Sequence, residues 1–403
     1  MQNRRNFLKN GLIAVTGAGL AGKSISEVPR QLNTDKNPEF VYRTLGKTGI
    51  KIPVVSMGTG NTSNPNLVRA AYDKGVKLFA TSEYYQNGNN EKMIAEALKD
   101  RPRDSYMLMT GTPTGISIDY KNGLFKDDTD IEVFMEHTHG CLKRLQVDYI
   151  DILSVGFGAT RQSVFYEPVL EAVKKFKDEG KASYLGLATH SFEPEAIRAA
   201  VDTGVYDVVT VAYNFRKTNI KETEEALQYA ADAGLGIIGM KNMAGAYWDK
   251  EKTQPINTIA ALKWVLQNEN IHTVIPDCAN YDHLDKDLAI MGEMELTEKE
   301  KNDLNPPSED LASGLYCQQC HECISQCPEN LDIPTIMRSY MYAYGYKNLE
   351  QARQTIDLAN LSGEPCKDCM ACQVSCAMNF NIREKINDIA RIREIPPDLI
   401  QHV

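Results

Sequence analysis

Two cysteine runs carry the most specific chemistry in the chain: Cys317-Gln-Gln-Cys320-His-Glu-Cys323-Ile-Ser-Gln-Cys327-Pro328 and Cys366-Lys-Asp-Cys369-Met-Ala-Cys372-Gln-Val-Ser-Cys376. Each has the spacing C-x-x-C-x-x-C-x-x-x-C, which lets a short loop wrap three corners of an iron–sulfur cube before the chain leaves. Where two such cubes share a chain, the fourth cysteine ligates the other cube. That rule assigns Cys317, Cys320, Cys323 and Cys376 to one [4Fe-4S] cluster, and Cys366, Cys369, Cys372 and Cys327 to the second. Zinc sites pair two knuckles separated by long spacers or histidines, whereas here a consecutive quartet occurs twice. Disulfides are the other alternative in an oxidising compartment, and a repeated cluster spacing argues against them.

The two copies match beyond their thiols: Cys327-Pro-Glu-Asn330-Leu-Asp-Ile333 aligns with Cys376-Ala-Met-Asn379-Phe-Asn-Ile382. Between them Pro334 suits a first helical turn, and 335–343 and 348–360 are free of internal proline and hold helix-forming residues. Linker length and helicity resemble an α-helical ferredoxin-like domain, placed at 316–382. Ala377 departs from the usual Cys-Pro ending without removing a ligand. A tail at 383–403 alternates charged and apolar residues in a helical pattern, and is expected to pack on that domain or on a partner.

At the other end, Asn3-Arg4-Arg5-Asn6-Phe7-Leu8-Lys9 followed by the apolar stretch Gly11 to Ala21 resembles a twin-arginine export signal, so 1–30 is set aside as a targeting segment. An attached basic amphipathic helix is the plainer reading. Export on this route carries folded proteins, which suits clusters inserted before the crossing. The expected location is periplasmic, free or held at the membrane surface. No apolar run is long enough to span a bilayer. With 44 basic against 54 acidic residues, the net charge of −10 argues against nucleic acid as a partner. The length of 403 residues and 42 % apolar content leave room for one large domain and one small one.

Between 40 and 295, short apolar runs alternate with helical segments. Expected strands are 53–57, 76–81, 106–110, 149–155, 183–188, 208–213, 236–240 and 273–276; intervening helices include 66–74, 91–98, 167–177, 194–202, 222–233 and 258–267. That is the pattern of an α/β protein with a (β/α)8 TIM barrel, whose site lies at the carboxyl ends of the strands. A polar, proline-punctuated linker is expected over 296–315.

The barrel region resembles the aldo/keto reductase family in Tyr42-Arg43-Thr44-Leu45-Gly46, Gly58-Thr59-Gly60, Asn87-Gly88-Asn89-Asn90-Glu91, Leu142-Lys143-Arg144-Leu145, Tyr149-Ile150-Asp151, Gly180-Lys181, Gly239-Met240-Lys241 and Ala261-Leu262-Lys263-Trp264. The resemblance implies a nicotinamide hydride donor and a proton-donating tyrosine. A lysine paired with an aspartate lowers that tyrosine's pKa, and a histidine orients the substrate. A phenol with an ordinary pKa near 10 needs such a cation to act at neutral pH. Here Tyr85 is kept, but Ala80, Gly111 and Gly156 stand where the aspartate, lysine and histidine are expected. Ala188-Thr189 replaces the pair that holds the carboxamide, Thr210 a glutamine, and Asp277 stands in the phosphate loop. These departures, with export away from the cytoplasmic pool, argue against NADP(H).

Further titratable residues, at that mouth and elsewhere in the chain, each carry more than one reading. Tyr85 reads as a weakly activated acid or a hydrogen-bonding wall, and His190, just past strand five, as a titratable candidate or a structural histidine. Cys278 and Cys141 read as packed thiols. His137 and His139, two apart on a helix, do not share a face. His321 reads as a tuner of a cluster potential or as a solvated loop residue. The whole predicts an exported aldo/keto reductase-like oxidoreductase with two [4Fe-4S] clusters in one-electron transfer, its partner a redox protein or quinone-linked carrier, with room for a small-molecule substrate. The alternatives are a non-catalytic electron-transfer or docking subunit, and a carbonyl reductase with a rebuilt site.

Overall fold

The computed structural model describes residues 40–111, 116–306, 314–361, 365–367, 369 and 372–400. The expected export segment lies outside them. The barrel strands are β1 (Met57–Gly58), β2 (Leu78–Ala80), β3 (Met107–Gly111), β4 (Ile150–Val155), β5 (Ala182–Thr189), β6 (Val208–Ala212), β7 (Gly236–Met240) and β8 (Thr273–Val274). They form one eight-stranded parallel sheet in sequential order. Parallel bridges Val55↔Val274 and Gly58↔Asp277 join β8 back to the first strand and close the barrel.

These strands are short apolar runs buried along nearly their whole length, as a sheet covered on its outer face and packed within requires. Helices Pro65–Asp73, Asn89–Leu98, Ile131–Leu145, Glu167–Asp178, Glu193–Thr203, Ile220–Asp232 and Thr258–Leu266 surround them. Several start on side-chain caps that satisfy otherwise orphaned amides: Asn64 with Pro65 at the first turn, Asp130 accepting from the Glu132 and Val133 amides, and Asn257 accepting from that of Ala260. An antiparallel hairpin, Tyr42–Thr44 against Lys51–Pro53, precedes the barrel. Leu45, Ile50 and Ile52 from this hairpin pack with Leu78, Met107, Ile152, Val208 and Ile238 inside the barrel. The interior is therefore a plugged core at that end and open to chemistry only at the other.

The segment expected as a linker starts instead with a helix, Glu298–Asp303, because Thr297 and Glu300 form a capping box. Leu296 and Leu304 flank it and pack with Trp248, Ile256, Ala260 and Ala261 of the barrel. Beyond it, helices Ile333–Tyr340, Leu349–Leu358 and Ile382–Ala390 build a second core from Ile333, Ile336, Met337, Ile356, Ile382 and Ile386. Ala244, from the loop after β7, belongs to that core. The tail helix is thus an internal wall of the small domain. Among the described residues no helix is long and apolar enough to cross a membrane.

Candidate functional site

The small domain is seated across the carboxyl ends of the barrel strands. The Asn61 side-chain amide donates to the Tyr346 carbonyl at 3.1 Å, and that of Asn348 donates to the Gly60 carbonyl at 3.2 Å. The Thr218 hydroxyl and amide donate to Gln318 Oε1 at 2.8 and 3.0 Å. Lys250 pairs with Glu384 and Asp388, both at 3.1 Å. At Gly345 the two backbones come so close that a Cβ would lie 2.7 Å from the Gly245 carbonyl oxygen, so only glycine fits.

Beneath this cap lies a cavity of about 790 Å³. Ends of all the barrel strands line it, through Gly58, Ala80, Gly111, Ser154, Ala188, Thr210, Lys241 and Asp277, and Arg338, Tyr342 and Tyr346 of the small domain form its roof. Tyr85 and His190, the two barrel residues singled out from the sequence, both face it.

A buried polar network links the ends of the first two strands to the helix Asn89–Leu98. Thr59 and Thr81 each donate to Asn90 Oδ1 at 2.7 Å, and the Asn90 amide donates to the carbonyls of Thr59 and Thr62 at 2.8 and 2.9 Å. Arg144 binds Glu91 at 2.6 Å and Glu83 at 3.0 Å, and Thr110 donates to Glu91 at 2.6 Å. Each buried carboxylate therefore meets a charge or a hydroxyl, as burial demands.

The lysine whose charge acts on Tyr85 stands after β7 rather than on β3. Lys241 directly follows β7 and its charge interacts with Tyr85. Its Nζ lies 4.7 Å from the Tyr342 ring centroid and 5.7 Å from that of Tyr346. Burial opposes its charge, yet Tyr342, Tyr85, Tyr346 and Asp277 outweigh that and hold its pKa above the ordinary value. The absence of a lysine at β3 is steric: a Cβ at Gly111 would fall 1.8 Å from the Ser154 carbonyl oxygen. Asp277, expected to repel a phosphate, also interacts with Lys241, and it accepts the Gly60 amide at 3.0 Å. Its carboxyl is raised by burial, with Lys241 and the Gly60 amide pulling it back.

Burial, reinforced by Asp277, pushes the Tyr85 phenol above its ordinary value, and Lys241 opposes this. Tyr85 is accordingly a neutral O–H donor at physiological pH. His190 is driven well below its ordinary value by burial and by the Lys241 and Arg338 charges, so it is a neutral imidazole there. Cys278 is buried with its thiol pushed well up by burial and Asp287, and Cys141 is buried, so neither is a thiolate nucleophile. His137 meets Glu83 at 3.0 Å, and His321 packs on the Phe192 ring at 4.5 Å with Nδ1 3.2 Å from the Lys121 carbonyl. His321 is thus a docking residue between the two domains.

The eight motif cysteines sort into two groups. Cys317, Cys320, Cys323 and Cys376 line one small cavity, and Cys327, Cys366, Cys369 and Cys372 line another. Burial pushes the Cys323 thiol up to about 12 and that of Cys366 to about 11, with neighbouring thiols adding to both. Among the described residues no group of three or more His, Cys, Asp or Glu side chains converges on a single ion. One zinc would bring its sulfurs within about 3.8 Å of each other, from Zn–S bonds of about 2.3 Å in a tetrahedron. Four thiolates are a donor set that either a zinc ion or an iron–sulfur cube takes.

A parallel eight-stranded barrel closed by a plug at one end, with a cavity at the carboxyl ends of its strands, defines a (β/α)8 protein. Residues 59–260 match the Aldo/keto reductase family, and the chain belongs to that family as an aldo/keto reductase-like oxidoreductase. It is 26 % identical over 296 residues to L-galactose dehydrogenase of Arabidopsis thaliana, covering 63 % of this chain and 88 % of that one. To probable aldo-keto reductase 1 of Glycine max it is 26 % identical over 327 residues, covering 68 % and 90 %. The holo form of aldo-keto reductase AKR11C1 from Bacillus halodurans superposes with a TM-score of 0.53 at 18 % identity, covering 70 % and 98 %, which speaks for the fold.

Proposed function

We propose that this aldo/keto reductase-like protein is an exported oxidoreductase that holds two [4Fe-4S] clusters and exchanges single electrons with a redox protein or a quinone-linked carrier. One observation carries the reading: each cysteine quartet around a cavity takes three thiols from one motif and the fourth from the other. When bound, such clusters supply one-electron transfer. Cys317, Cys320, Cys323 and Cys376 would hold the cluster whose loop touches the barrel through Gln318 and His321. Cys327, Cys366, Cys369 and Cys372 would hold the other, and Cys372 is exposed, as an outlet to a partner should be. The Arg4-Arg5 motif supports export to the periplasm.

Anaerobic purification from the envelope fraction tests this. Iron and sulfide should each approach about eight per chain, with a paramagnetic signal on reduction. Colourless or zinc-loaded protein would overturn the reading, and a tightly held partner with its own active site would make the chain an electron-transfer subunit. Lys241 beside Tyr85 favours a second reading, in which a nicotinamide-dependent carbonyl reductase has rebuilt its site. Saturable NADPH binding, followed by nicotinamide fluorescence, would select it.

A further inference from the structure

The roofed cavity holds more positive charge than its own residues neutralise. Lys241 reaches it from the end of β7, and Arg338 from the helix Ile333–Tyr340 above. Among the described residues neither side chain makes a hydrogen bond or an ion pair. Both lie against aromatic faces instead, Lys241 on Tyr342 and Tyr346, and Arg338 5.6 Å from the Tyr120 centroid. The Tyr85 hydroxyl likewise finds no hydrogen-bond partner among the described residues, although it faces the same space.

Against these stands Asp277, a carboxylate that interacts with Lys241 and already accepts the Gly60 amide. Asp287 lines the cavity too, but its carboxyl is pushed up to about 7 by burial, and it faces the Cys278 thiol at 3.5 Å. His190 contributes no charge. At the rim, Lys286 is paired with Asp282 at 2.7 Å. An enclosed surplus cation is unfavourable unless an anion meets it. The cavity volume falls within the range for a small-molecule site, and Ala279, Asn280, His283 and Lys286 are exposed along its edge, which marks an entrance.

We propose that this cavity is the seat of a small oxyanion, a carboxylate- or phosphate-bearing molecule whose charge is met by Lys241 and Arg338 and whose oxygen accepts the Tyr85 hydroxyl proton in a hydrogen bond. This names the substrate class for the barrel site of the reading above. It rests on the barrel cavity being where that oxidoreductase acts, and not on the clusters. The seat is shared between the domains, so neither domain alone binds the anion.

Calorimetric titration of the full-length holoprotein at low salt with oxalate and, separately, inorganic phosphate tests the seat. Oxamide serves as the uncharged control, and iron is measured on the same samples. Saturable binding of either anion is expected, weakened about tenfold or more in Lys241→Met and in Arg338→Met, and several-fold in Tyr85→Phe. Which anion binds more tightly tells carboxylate from phosphate. Oxamide should not bind. Unchanged affinity in both charge variants, no saturable anion binding, or oxamide binding equal to that of oxalate would overturn the proposal. So would NADPH binding that phosphate displaces and Lys241→Met abolishes, since the cations would then serve a nucleotide. Loss of iron with anion binding intact would count against the clusters and leave the seat standing.

Discussion

The Lys241 ammonium lies 4.7 Å from the centre of the Tyr342 ring, although one belongs to the barrel and the other to the cysteine domain. A desolvated cation over an aromatic face is worth about 2 kcal/mol, so this contact ties roof to floor at the point where chemistry would occur. Tyr342→Leu should therefore lower the anaerobic unfolding midpoint in denaturant, followed by near-UV circular dichroism, in step with a loss of about 1–2 kcal/mol of unfolding free energy. A midpoint equal to that of the parent would show that the ring carries no such load.

Restoring the family's lysine where the sequence lacks it should fail. At Gly111 even a methyl group would overlap the Ser154 carbonyl. Gly111→Ala is expected to destabilise by about 3 kcal/mol or more through overpacking, and Gly111→Lys should accumulate as insoluble chain. Soluble Gly111→Lys protein with a native circular dichroism spectrum would contradict the geometry.

Arg144 compensates two buried acids at once, Glu83 and Glu91. Removing it in Arg144→Met leaves Glu91 without its cation, at a cost of about 3–5 kcal/mol. Denaturant unfolding should show that loss. A double variant that also replaces Glu91 with Gln should recover part of it.

Asp287 sets a pH dependence. Its carboxyl is raised by burial to about 7 in the folded chain, against 3.8 as the unperturbed value. The folded state therefore binds the proton more tightly, and this group's contribution is complete below the unfolded value and lost as pH rises through 7. Asp287→Asn should flatten the fall in stability between about pH 4 and 7 and should be the more stable protein at pH 8. Parallel stability curves for variant and parent would refute the assignment.

Cluster loss should follow the crossed pairing. Cys320→Ser and Cys376→Ser should remove the same spectroscopic centre, and Cys327→Ser and Cys369→Ser the other, with iron falling by about half in each case. If Cys376→Ser instead matched Cys369→Ser, the pairing would be by motif and not crossed.

Much of the barrel is legible in the sequence because its cause is local. A buried parallel strand must be a short apolar run, and the stretches at 150–155, 208–212 and 236–240 are such runs. The family motifs are equally legible, and many prove to be scaffold: Thr59 with Asn90, and Glu91 with Arg144, form buried polar pairs without lining the cavity themselves. What sequence reasoning missed is Lys241. The family keeps a lysine at β3, yet a barrel brings every strand end to one mouth regardless of separation along the chain. The usable signal was the set of ionisable residues just past a strand end, which contains His190, Lys241 and Asp277. The roof was hidden for a different reason. Helical periodicity tells that residues 333–358 bury a face, but not that Arg338, Tyr342 and Tyr346 turn another toward the barrel.

Gly345 resting on Gly245 has a consequence for how this protein can change over time. With backbone against backbone, neither domain can be exchanged for a homologous one unless the replacement brings the same bare contact and the same tyrosines over Lys241. The two halves are therefore bound to a shared history: a chimaera of this barrel with a foreign cysteine domain should be a worse protein than either parent, however well each half folds.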